Sequence, residues 1–284
     1  MPIAERHSLV IPLYGEITSE CLNWLDAFRL QGFWVVAVNN NPSTIDGLHE
    51  VSSVVVNHHN FSGLAGGLNA GVAQAISDGT SVITLLDQDS QISPKSLSRL
   101  ADACSTSSST SLRIVGPCIW DSARHEVHSH ANSRARFMIT SGTTFSPLVW
   151  SCVGSFQSWM EIDYIDHEWC SRAVQCGVQL EVISGACLRQ TFGSRHPNRI
   201  AHQLGLQLYS PYRRSVAIRN LRWMLRQSYV PLDVRIKELI KILLKPWFWL
   251  LLEPNRRRTS AYIWMGLRAP LLRPFPRQRL EAMV

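Results

Sequence analysis

The stretch that decides the fold is Val82-Ile83-Thr84-Leu85-Leu86-Asp87-Gln88-Asp89-Ser90. Four of the five residues before Asp87 are apolar and Thr84 is β-branched, which is typical of a buried parallel strand. Ligands of open α/β sheets bind beyond the carboxyl ends of strands, and side chains two positions apart on extended chain share a face. Asp87 and Asp89 are therefore expected to point into one crevice, where two carboxylates suit Mg²⁺ or Mn²⁺. For an isolated pair of aspartates, the alternative is a solvated turn.

Strands and helical patterns alternate on both sides of this stretch. The predicted strands are, in chain order, 8–14, 33–38, 51–56, 82–86, 112–119, 137–140 and 178–183. The predicted helices are 19–30, 63–76, 94–104 and 166–175, followed by basic helices from about 207. The alternation predicts an α/β fold with a mostly parallel central sheet flanked by helices.

The composition narrows the class of protein. A chain of 284 residues with 45% hydrophobic residues is typical of a globular protein of one or two domains. The seven cysteines are scattered and form no C-x-x-C pair, which favours reduced thiols in the cytoplasm. No signal peptide is evident at the N-terminus, and no uninterrupted apolar run reaches the roughly 18 residues of a membrane span.

The net charge of +7 is unevenly distributed. Residues 1–188 contain 17 acidic and 9 basic residues, whereas residues 189–284 contain 4 acidic and 19 basic residues. An acidic half joined to a basic half predicts metal-dependent chemistry in the first and attachment to an anionic partner in the second.

Two further motifs are ambiguous when each is taken alone. The glycine-rich segment 57–71 is either a backbone cradle for a ligand or a helix start packed tightly on the sheet; it matches neither the dinucleotide fingerprint nor a P-loop. The acidic segment 161–172 is either the rim of an active site or a helix N-terminus enriched in acids by the dipole. His125, His128 and His130 are either metal ligands or solvated loop residues, and alternation in a polar loop favours the second.

In combination, these motifs resemble the inverting family 2 glycosyltransferases of GT-A fold, especially their bacterial rhamnosyltransferase branch. The resemblance is carried by N-x-x-N-x-x-G-x-A-x-x-x-N-x-G at 57–71, L-L-D-Q-D-S at 85–90, Ser141-Gly142, Gly154, and D-Y-x-D-x-E-W-C-x-R at 163–172. These motifs appear in the family's order over residues 8–193. Arg213-Arg214 and Arg219-Asn220 also resemble a feature that follows the catalytic domain.

The resemblance implies a role for each motif. Asp166 would be the general base, Asp87 would lie near the donor ribose or the metal, and Asp89 would bind the metal. The residues implied to line the nucleotide pocket are Pro12, Leu13, Tyr14, Asn39, Asn60, Asn69 and Asp87. The residues implied on the acceptor side are Asp163, Glu168, Trp169 and Arg172. The cofactor would be Mg²⁺ or Mn²⁺.

Two positions depart from the family pattern. Asn39 stands where the family usually has an aspartate, so the contact with the pyrimidine would lack a charge. Gln190 stands where a histidine often helps to bind the metal, which makes it a doubtful ligand, with His196 as a substitute. These departures motivate one rival hypothesis, a catalytically degenerate nucleotide-sugar or membrane-binding protein.

The basic C-terminal region has an amphipathic pattern. Apolar residues recur on one predicted helical face and lysines at 237, 241 and 245 on another, with Arg256-Arg257-Arg258 beyond. This pattern favours a helix lying on an anionic membrane; the alternative is a helix packed on the catalytic domain with its basic face in water. A nucleic-acid partner is not expected, because no binding motif accompanies the charge.

We therefore predict a metal-dependent inverting sugar transferase at the inner face of a bacterial cytoplasmic membrane. Residues 1–205 would form the GT-A catalytic domain, with a nucleotide-binding half at about 1–110 and an acceptor half at about 111–205, and residues 206–284 a basic helical region. The predicted donor is dTDP-rhamnose and the acceptor a cell-surface glycan or glycolipid. The alternative within the class is galactofuranosyl or other hexosyl transfer from a UDP donor.

Overall fold

The computed structural model describes residues 6–105, 112–122, 126–127, 135–191, 210–252 and 255–273. Most of the Ser/Thr-rich segment 105–111 lies outside these residues, as do the three loop histidines His125, His128 and His130, and His196. The predicted domain boundary at 205/206 also lies outside them.

The described chain alternates strands and helices in its first half and ends in helices. The strands are β1 (His7–Leu13), β2 (Trp34–Asn39), β3 (Val54–Asn57), β4 (Val82–Leu85), β5 (Gln91–Ile92), β6 (Arg113–Asp121), β7 (Glu126–Val127), β8 (Thr144–Phe145) and β9 (Gln179–Gln190). The helices are α1 (Ser19–Leu30), α2 (Leu48–Val51), α3 (Gly63–Ser77), α4 (Pro94–Ser105), α5 (Pro147–Val153), α6 (Ile165–Gln175), α7 (Pro211–Met224), α8 (Leu232–Leu252) and α9 (Arg256–Arg268).

The strands form a single mixed sheet in the order β3-β2-β1-β4-β8-β6-β9-β5, with β7 paired to β6. The first four are parallel, as the alternation predicts, and their carboxyl ends meet at one edge. The two-residue strand β8 runs antiparallel to both β4 and β6 and joins the parallel half to the β6–β9 pair. The fold is thus an α/β sheet with flanking helices and a C-terminal helical extension.

Apolar residues alternate between the two faces of the central strands. Val10, Val36 and Val38 face a core shared with α3, α5 and α6, whereas Leu9 and Ile11 face a core shared with α1 and α4. Because side chains of a strand alternate across the sheet, both faces of β1 and β2 are buried. Helices on both sides leave the carboxyl edge of the strands as the accessible part of the sheet.

Two predicted strands differ from the structure. Val51 ends the short helix α2, and the third strand begins only at Val54. Residues 137–140 form no strand, because β8 occupies the space between β4 and β6. Met138 from this segment packs instead into the core beside α6.

The helix α7 binds the turn that leads into α6. Glu161, Asp163 and Tyr164 in this turn all have positive φ angles between 58° and 63°. The Asn220 side-chain amide donates hydrogen bonds to the carbonyl oxygens of Met160 (2.8 Å), Ile162 (2.7 Å) and Asp163 (2.9 Å). A left-handed backbone costs free energy for residues other than glycine, so these bonds stabilise a turn that would otherwise relax.

Arg219 holds the same turn from the preceding position of α7. It is fully buried, and its Nη2 donates to the carbonyl oxygen of Trp159 at 2.9 Å and lies 3.5 Å from Glu161 Oε2. We refer to Arg219 and Asn220 together as the α7 clamp. The clamp explains why this polar pair is buried in a helix: its partners are backbone carbonyls and one buried carboxylate.

The helix α8 has two different faces. Its outer face exposes nine large apolar side chains: Leu232, Ile236, Leu239, Ile240, Leu243, Leu244, Trp247, Phe248 and Leu251. The opposite face turns Lys241, Lys245 and Trp249 towards the catalytic domain. Within the described ranges, no helix is long and apolar enough to cross a membrane.

The α7 clamp makes a prediction about stability. Asn220→Ala removes the donor shared by three buried carbonyl groups, so we expect the free energy of unfolding to fall by about 1–3 kcal/mol. Urea denaturation followed by circular dichroism measures the change. Arg226→Ala, at an exposed position just after the same helix, is the control and should change stability by less than about 0.5 kcal/mol. Equal stabilities of Asn220→Ala and wild type would contradict the role of the clamp.

Candidate active site

A cavity of about 810 Å³ opens beyond the carboxyl end of β4. Its walls come from the turn after β4, the start of α6, the end of β9, and the inner faces of α7 and α8. Asp87, Asp89 and Asp166 all line it, so the structure brings together the three carboxylates that sequence reasoning singled out. The cavity is large enough for a drug-sized ligand.

The turn that carries Asp87 and Asp89 is fixed from the neighbouring strands. The Asp87 backbone N–H donates to Ser141 Oγ at 3.2 Å, and the hydroxyl groups of Ser90 and Ser141 lie 2.5 Å apart. Gly142 has a φ of 83°, and a Cβ there would lie 2.6 Å from Pro117. The Ser141-Gly142 pair therefore supports this turn: the Ser141 hydroxyl contacts it, and the positive φ and close contact with Pro117 require glycine at position 142.

Gln88, between the two aspartates, joins the ends of β4 and β1. The Tyr14 N–H donates to Gln88 Oε1 at 2.7 Å, and Gln88 Nε2 donates to the Tyr14 carbonyl oxygen at 3.0 Å. This reciprocal pair sets the spacing of the two strand ends and leaves the Tyr14 ring exposed. Sequence reasoning missed Gln88, because a residue between two acids carries no signal of its own.

Asp87 lies in an environment that disfavours its charge. Burial first of all, and then the charges of Asp89 and Asp166, raise the pKa of Asp87 to about 6, although a hydrogen bond from Gln190 opposes the shift. Gln190 Nε2 donates to Asp87 Oδ2 at 2.7 Å. The three acids are close enough for their charges to interact, so this wall of the cavity holds excess negative charge that a cation would neutralise.

The residues at this wall fit a divalent cation. Among the described residues, no group of three His, Cys, Asp or Glu side chains is arranged to hold a metal. However, Gln190 Oε1 is buried and has no hydrogen-bond partner. Two carboxylates and one unsatisfied amide oxygen line the same cavity and are all oxygen donors of the type that Mg²⁺ prefers, and Mg²⁺ typically takes few protein ligands beside water and phosphate. Because its Oε1 has no hydrogen-bond partner, Gln190 suits a metal-binding position better than a glutamine side chain ordinarily does.

Asp166 lies in the first turn of α6 and is paired with the next residue, His167. His167 donates to Asp166 Oδ1 from its backbone N–H at 2.8 Å, and its ring Nδ1 lies 2.9 Å from the same oxygen. The His167 ring stacks on Phe137 at 4.7 Å, which fixes its orientation. Burial raises the pKa of Asp166, but the charge and hydrogen bonds of His167 outweigh burial and hold this pKa below its usual value. Sequence reasoning missed His167, although its position next to Asp166 was visible.

The acidic segment before α6 is divided between the cavity and the core. Asp163 lines the cavity and receives two hydrogen bonds from Arg213 Nε and one from Nη2, at 2.8–3.1 Å. Glu168 is fully buried and forms a bidentate ion pair with Arg172 at 2.6 and 2.8 Å. Trp169 packs in the core and donates to the Gly154 carbonyl oxygen.

Glu168, Trp169 and Arg172 do not line the cavity. Arg172 also donates to the carbonyl oxygens of Val153 and Ser155, so the Glu168–Arg172 pair ties α6 to the end of α5. The structure places these three residues where they orient α6. Their contact with an acceptor stays a prediction.

Of the residues predicted for the nucleotide, Asp87 lines the cavity, and the others lie near the carboxyl ends of β1–β3 or on α3. None of Pro12, Leu13, Tyr14, Asn39, Asn60 and Asn69 lines the cavity. Asn39 is buried, and its amide donates to the Ser43 carbonyl oxygen and to Asn57 Oδ1 while accepting from the Asn41 N–H. The Asn69 amide bonds both the N–H and the carbonyl oxygen of Phe156. Both amides thus have partners within the protein, and nucleotide binding by these residues stays a prediction.

The glycine-rich segment packs against protein at each glycine of α3. A Cβ at Gly63 would lie 2.8 Å from the Glu161 carbonyl oxygen, one at Gly67 would lie 2.5 Å from Asn40, and one at Gly71 would lie 2.4 Å from Val10. Of the two interpretations of this segment, tight packing is the one that the structure displays. It also connects α3 to the turn held by the α7 clamp, since the Ala65 N–H donates to the Glu161 carbonyl oxygen at 3.0 Å.

Comparisons with known proteins agree with this architecture. Residues 8–142 match the family model "Glycosyl transferase family 2". The chain is 26% identical over 231 residues to the dTDP-rhamnosyl transferase RfbF of Shigella flexneri, an alignment that covers 74% of this chain and 76% of that protein.

Solved structures show the same fold. The crystal structure of S. aureus TarS residues 1–349 in complex with UDP-GlcNAc superposes with a TM-score of 0.59 at 14% identity, over 98% of this chain and 84% of that one. GalNAc-T7 with UDP, GalNAc and Mn²⁺ superposes with a TM-score of 0.53 at 14% identity, over 92% of this chain and 59% of that one. Residues 8–142 are therefore a glycosyl transferase family 2 domain, and the chain is a glycosyltransferase of GT-A fold.

Proposed function

We propose that the chain is a metal-dependent, inverting rhamnosyltransferase that moves L-rhamnose from dTDP-rhamnose to a bacterial cell-surface glycan or lipid-linked acceptor. The observation that carries the proposal is the convergence of Asp87, Asp89 and Asp166 on one cavity. The similarity to the dTDP-rhamnosyl transferase RfbF supports the choice of donor.

In the proposed reaction, Asp166 is the general base. Its carboxylate removes the proton from the acceptor hydroxyl as the oxygen attacks the anomeric carbon, and attack from the face opposite the diphosphate inverts that carbon. His167 bonds Asp166 Oδ1 through both its ring and its backbone, which orients the carboxylate and keeps it ionised. The orientation and charge of the Asp166 carboxylate are thus determined by His167, which outweighs the effect of burial.

Asp87, Asp89 and Gln190 would hold the cation. When bound, Mg²⁺ or Mn²⁺ acts as a Lewis acid that offsets the charge developing on the leaving diphosphate. The hydrogen bond from Gln190 orients the Asp87 carboxylate, and the hydrogen bond from the Asp87 N–H to Ser141 Oγ fixes the backbone of the turn. Asp163 and Arg213 would flank the acceptor on the other side of Asp166.

We also propose that α8 lies on the inner face of the cytoplasmic membrane. Its outer face carries the nine exposed apolar side chains, and the exposed Lys237 and Arg256–Arg258 lie beside this face and after the helix. An apolar stripe flanked by basic residues suits the headgroup region of an anionic bilayer. The alternative from the sequence is a helix packed on the catalytic domain with its basic face in water. In the structure α8 does pack on the domain and Lys237 and Lys245 are exposed, but the apolar face is exposed as well.

The proposed base is tested by substitution. Asp166→Asn removes the proton acceptor and keeps the shape of the side chain, so we expect transfer to fall by about 10²–10⁴-fold. The measurement is release of dTDP from dTDP-rhamnose, with UDP-galactofuranose in parallel, in Mg²⁺ or Mn²⁺ and after addition of EDTA. Chelation should abolish the activity that added metal restores.

Asp102→Asn, the same change at an exposed position on α4, is the matched control and should leave the rate unchanged. The proposal of an active enzyme would be contradicted if neither wild type nor Asp166→Asn turned over the donor with any of a broad panel of acceptors, although both still bound it. Preference for the UDP donor would contradict the assignment of the sugar.

The pairing with His167 predicts a change in pH dependence. In His167→Asn, the charge and ring hydrogen bond that lower the pKa of Asp166 are lost and the effect of burial dominates, so this pKa rises. The acidic limb of the kcat/KM profile should therefore move to higher pH, with activity recovering on the alkaline side. An acidic limb at the wild-type position would show that Asp166 is not the base that the profile reports.

Membrane attachment is tested with vesicles of phosphatidylglycerol and phosphatidylcholine. Leu243 and Trp247 are 60% and 68% exposed on the outer face of α8, and changing both to serine should weaken co-sedimentation by about tenfold or more. Leu30→Ser is the control, since Leu30 is 71% exposed on α1. Equal binding of the double variant and wild type, or tighter binding to DNA than to vesicles at physiological salt, would contradict the proposal.

A further inference from the structure

The charges that line the cavity are separated into two walls. The acidic wall contains Asp87, Asp89 and Asp166, near the ends of β4 and the start of α6. A second wall is formed by α7 and α8, which contribute four cations, Arg213, Arg214, Lys241 and Lys245, and one carboxylate, Glu238. This distribution of charge suits two ligands: a cation bound at the acidic wall, and a substrate with an anionic group bound at the basic wall.

Most of the cations on the basic wall are engaged by neighbouring side chains. Arg213 is bonded to Asp163, Lys241 Nζ lies 2.5 Å from Glu238 Oε1, and the Arg214 guanidinium lies over the Trp249 ring at 5.1 Å. Lys245 differs, because no carboxylate of the described residues lies within ion-pair distance of its Nζ. It is one helical turn beyond Lys241 on the same face, so the two ammonium groups face the same part of the cavity.

The position of α8 restricts which anion can reach this wall. Lys241, Lys245 and Trp249 recur at a spacing of four residues and face the cavity, whereas Leu243, Trp247 and the other apolar residues lie on the opposite side of the helix. The helix is only about 10 Å across, so the basic wall is one helix diameter from the surface that would rest on lipid. A phosphate group attached to a lipid tail lies at that depth.

We propose that Lys245, supported by Lys241, forms an anion subsite that binds the phosphate or diphosphate of a lipid-linked acceptor. The inference rests on the proposed transferase function and names the chemistry of its acceptor. An ammonium group binds phosphate oxygens through charge-assisted hydrogen bonds. The subsite would hold the membrane end of the acceptor while its glycan end reaches Asp166, which also lines the cavity.

The same chemistry has a second source, the diphosphate of the donor. The experiment separates the two sources with soluble probes: dTDP for the donor, and farnesyl diphosphate, below its critical micelle concentration, for the lipid-linked acceptor. Calorimetry with the full chain first measures dTDP binding in Mg²⁺. Farnesyl diphosphate is then titrated into protein saturated with dTDP, and farnesol serves as the probe without phosphate.

Lys245→Ala should weaken farnesyl diphosphate binding by about tenfold or more while leaving dTDP binding unchanged. Lys245→Arg should retain most of the binding, because it keeps the charge. Lys95→Ala is the matched control: it removes the same charge from an exposed position on α4 that does not line the cavity and lies far along the chain from α8, and it should have no effect. Alanine favours helices, so these variants are expected to fold.

Three results would overturn the inference. The first is no binding of farnesyl diphosphate to wild type with dTDP bound, and the second is equal weakening by Lys95→Ala and Lys245→Ala. The third is a loss of dTDP affinity in Lys245→Ala as large as the loss for farnesyl diphosphate. Failure of the transferase proposal reads differently. In that case wild type itself does not bind dTDP or release it from dTDP-rhamnose, whichever way Lys245 behaves.

Discussion

The structure depends on one interaction, the contact of the α7 clamp with the turn before α6. Three of the four residues 161–164 adopt positive φ angles although none is glycine. The side chain of Asn220 bonds three carbonyl groups of this turn. The turn ends at Tyr164, two residues before Asp166. Because a helix start inherits the direction of the chain that enters it, the clamp sets where Asp166 points.

The same contact joins the parts of the molecule that build the cavity. Arg219 and Asn220 belong to α7. In the same helix Arg213 bonds Asp163, and Ser215 donates to the Tyr262 carbonyl oxygen of α9. On the other side, the clamped turn accepts a hydrogen bond from Ala65 at the start of α3. The basic C-terminal helices therefore form part of the site. Without them, the cavity would lose the wall formed by α7 and α8.

Much of the parallel half of the fold could be predicted from sequence, because its signals are local. Buried strands such as β4 read as apolar runs, and the boundaries of α1 and α4 follow from Thr18, whose side chain caps the first helix, and Pro94. The position of β8 could not be predicted, since two residues carry no periodicity. The convergence of the three carboxylates was predictable only through the family resemblance, because Asp166 lies far along the chain from Asp87.

The structure shows where the basic half of the sequence places its charges, which composition alone could not predict. An acidic half and a basic half predict two separate tasks, catalysis and attachment. In the structure the basic half turns Arg213, Lys241 and Lys245 into the cavity and exposes apolar residues outward. The amphipathic pattern of α8 fixes which residues share a face but not which face turns inward. That choice follows from neutralising charge, since Lys241 pairs with Glu238 and Arg213 with Asp163 inside a cavity whose other wall is acidic.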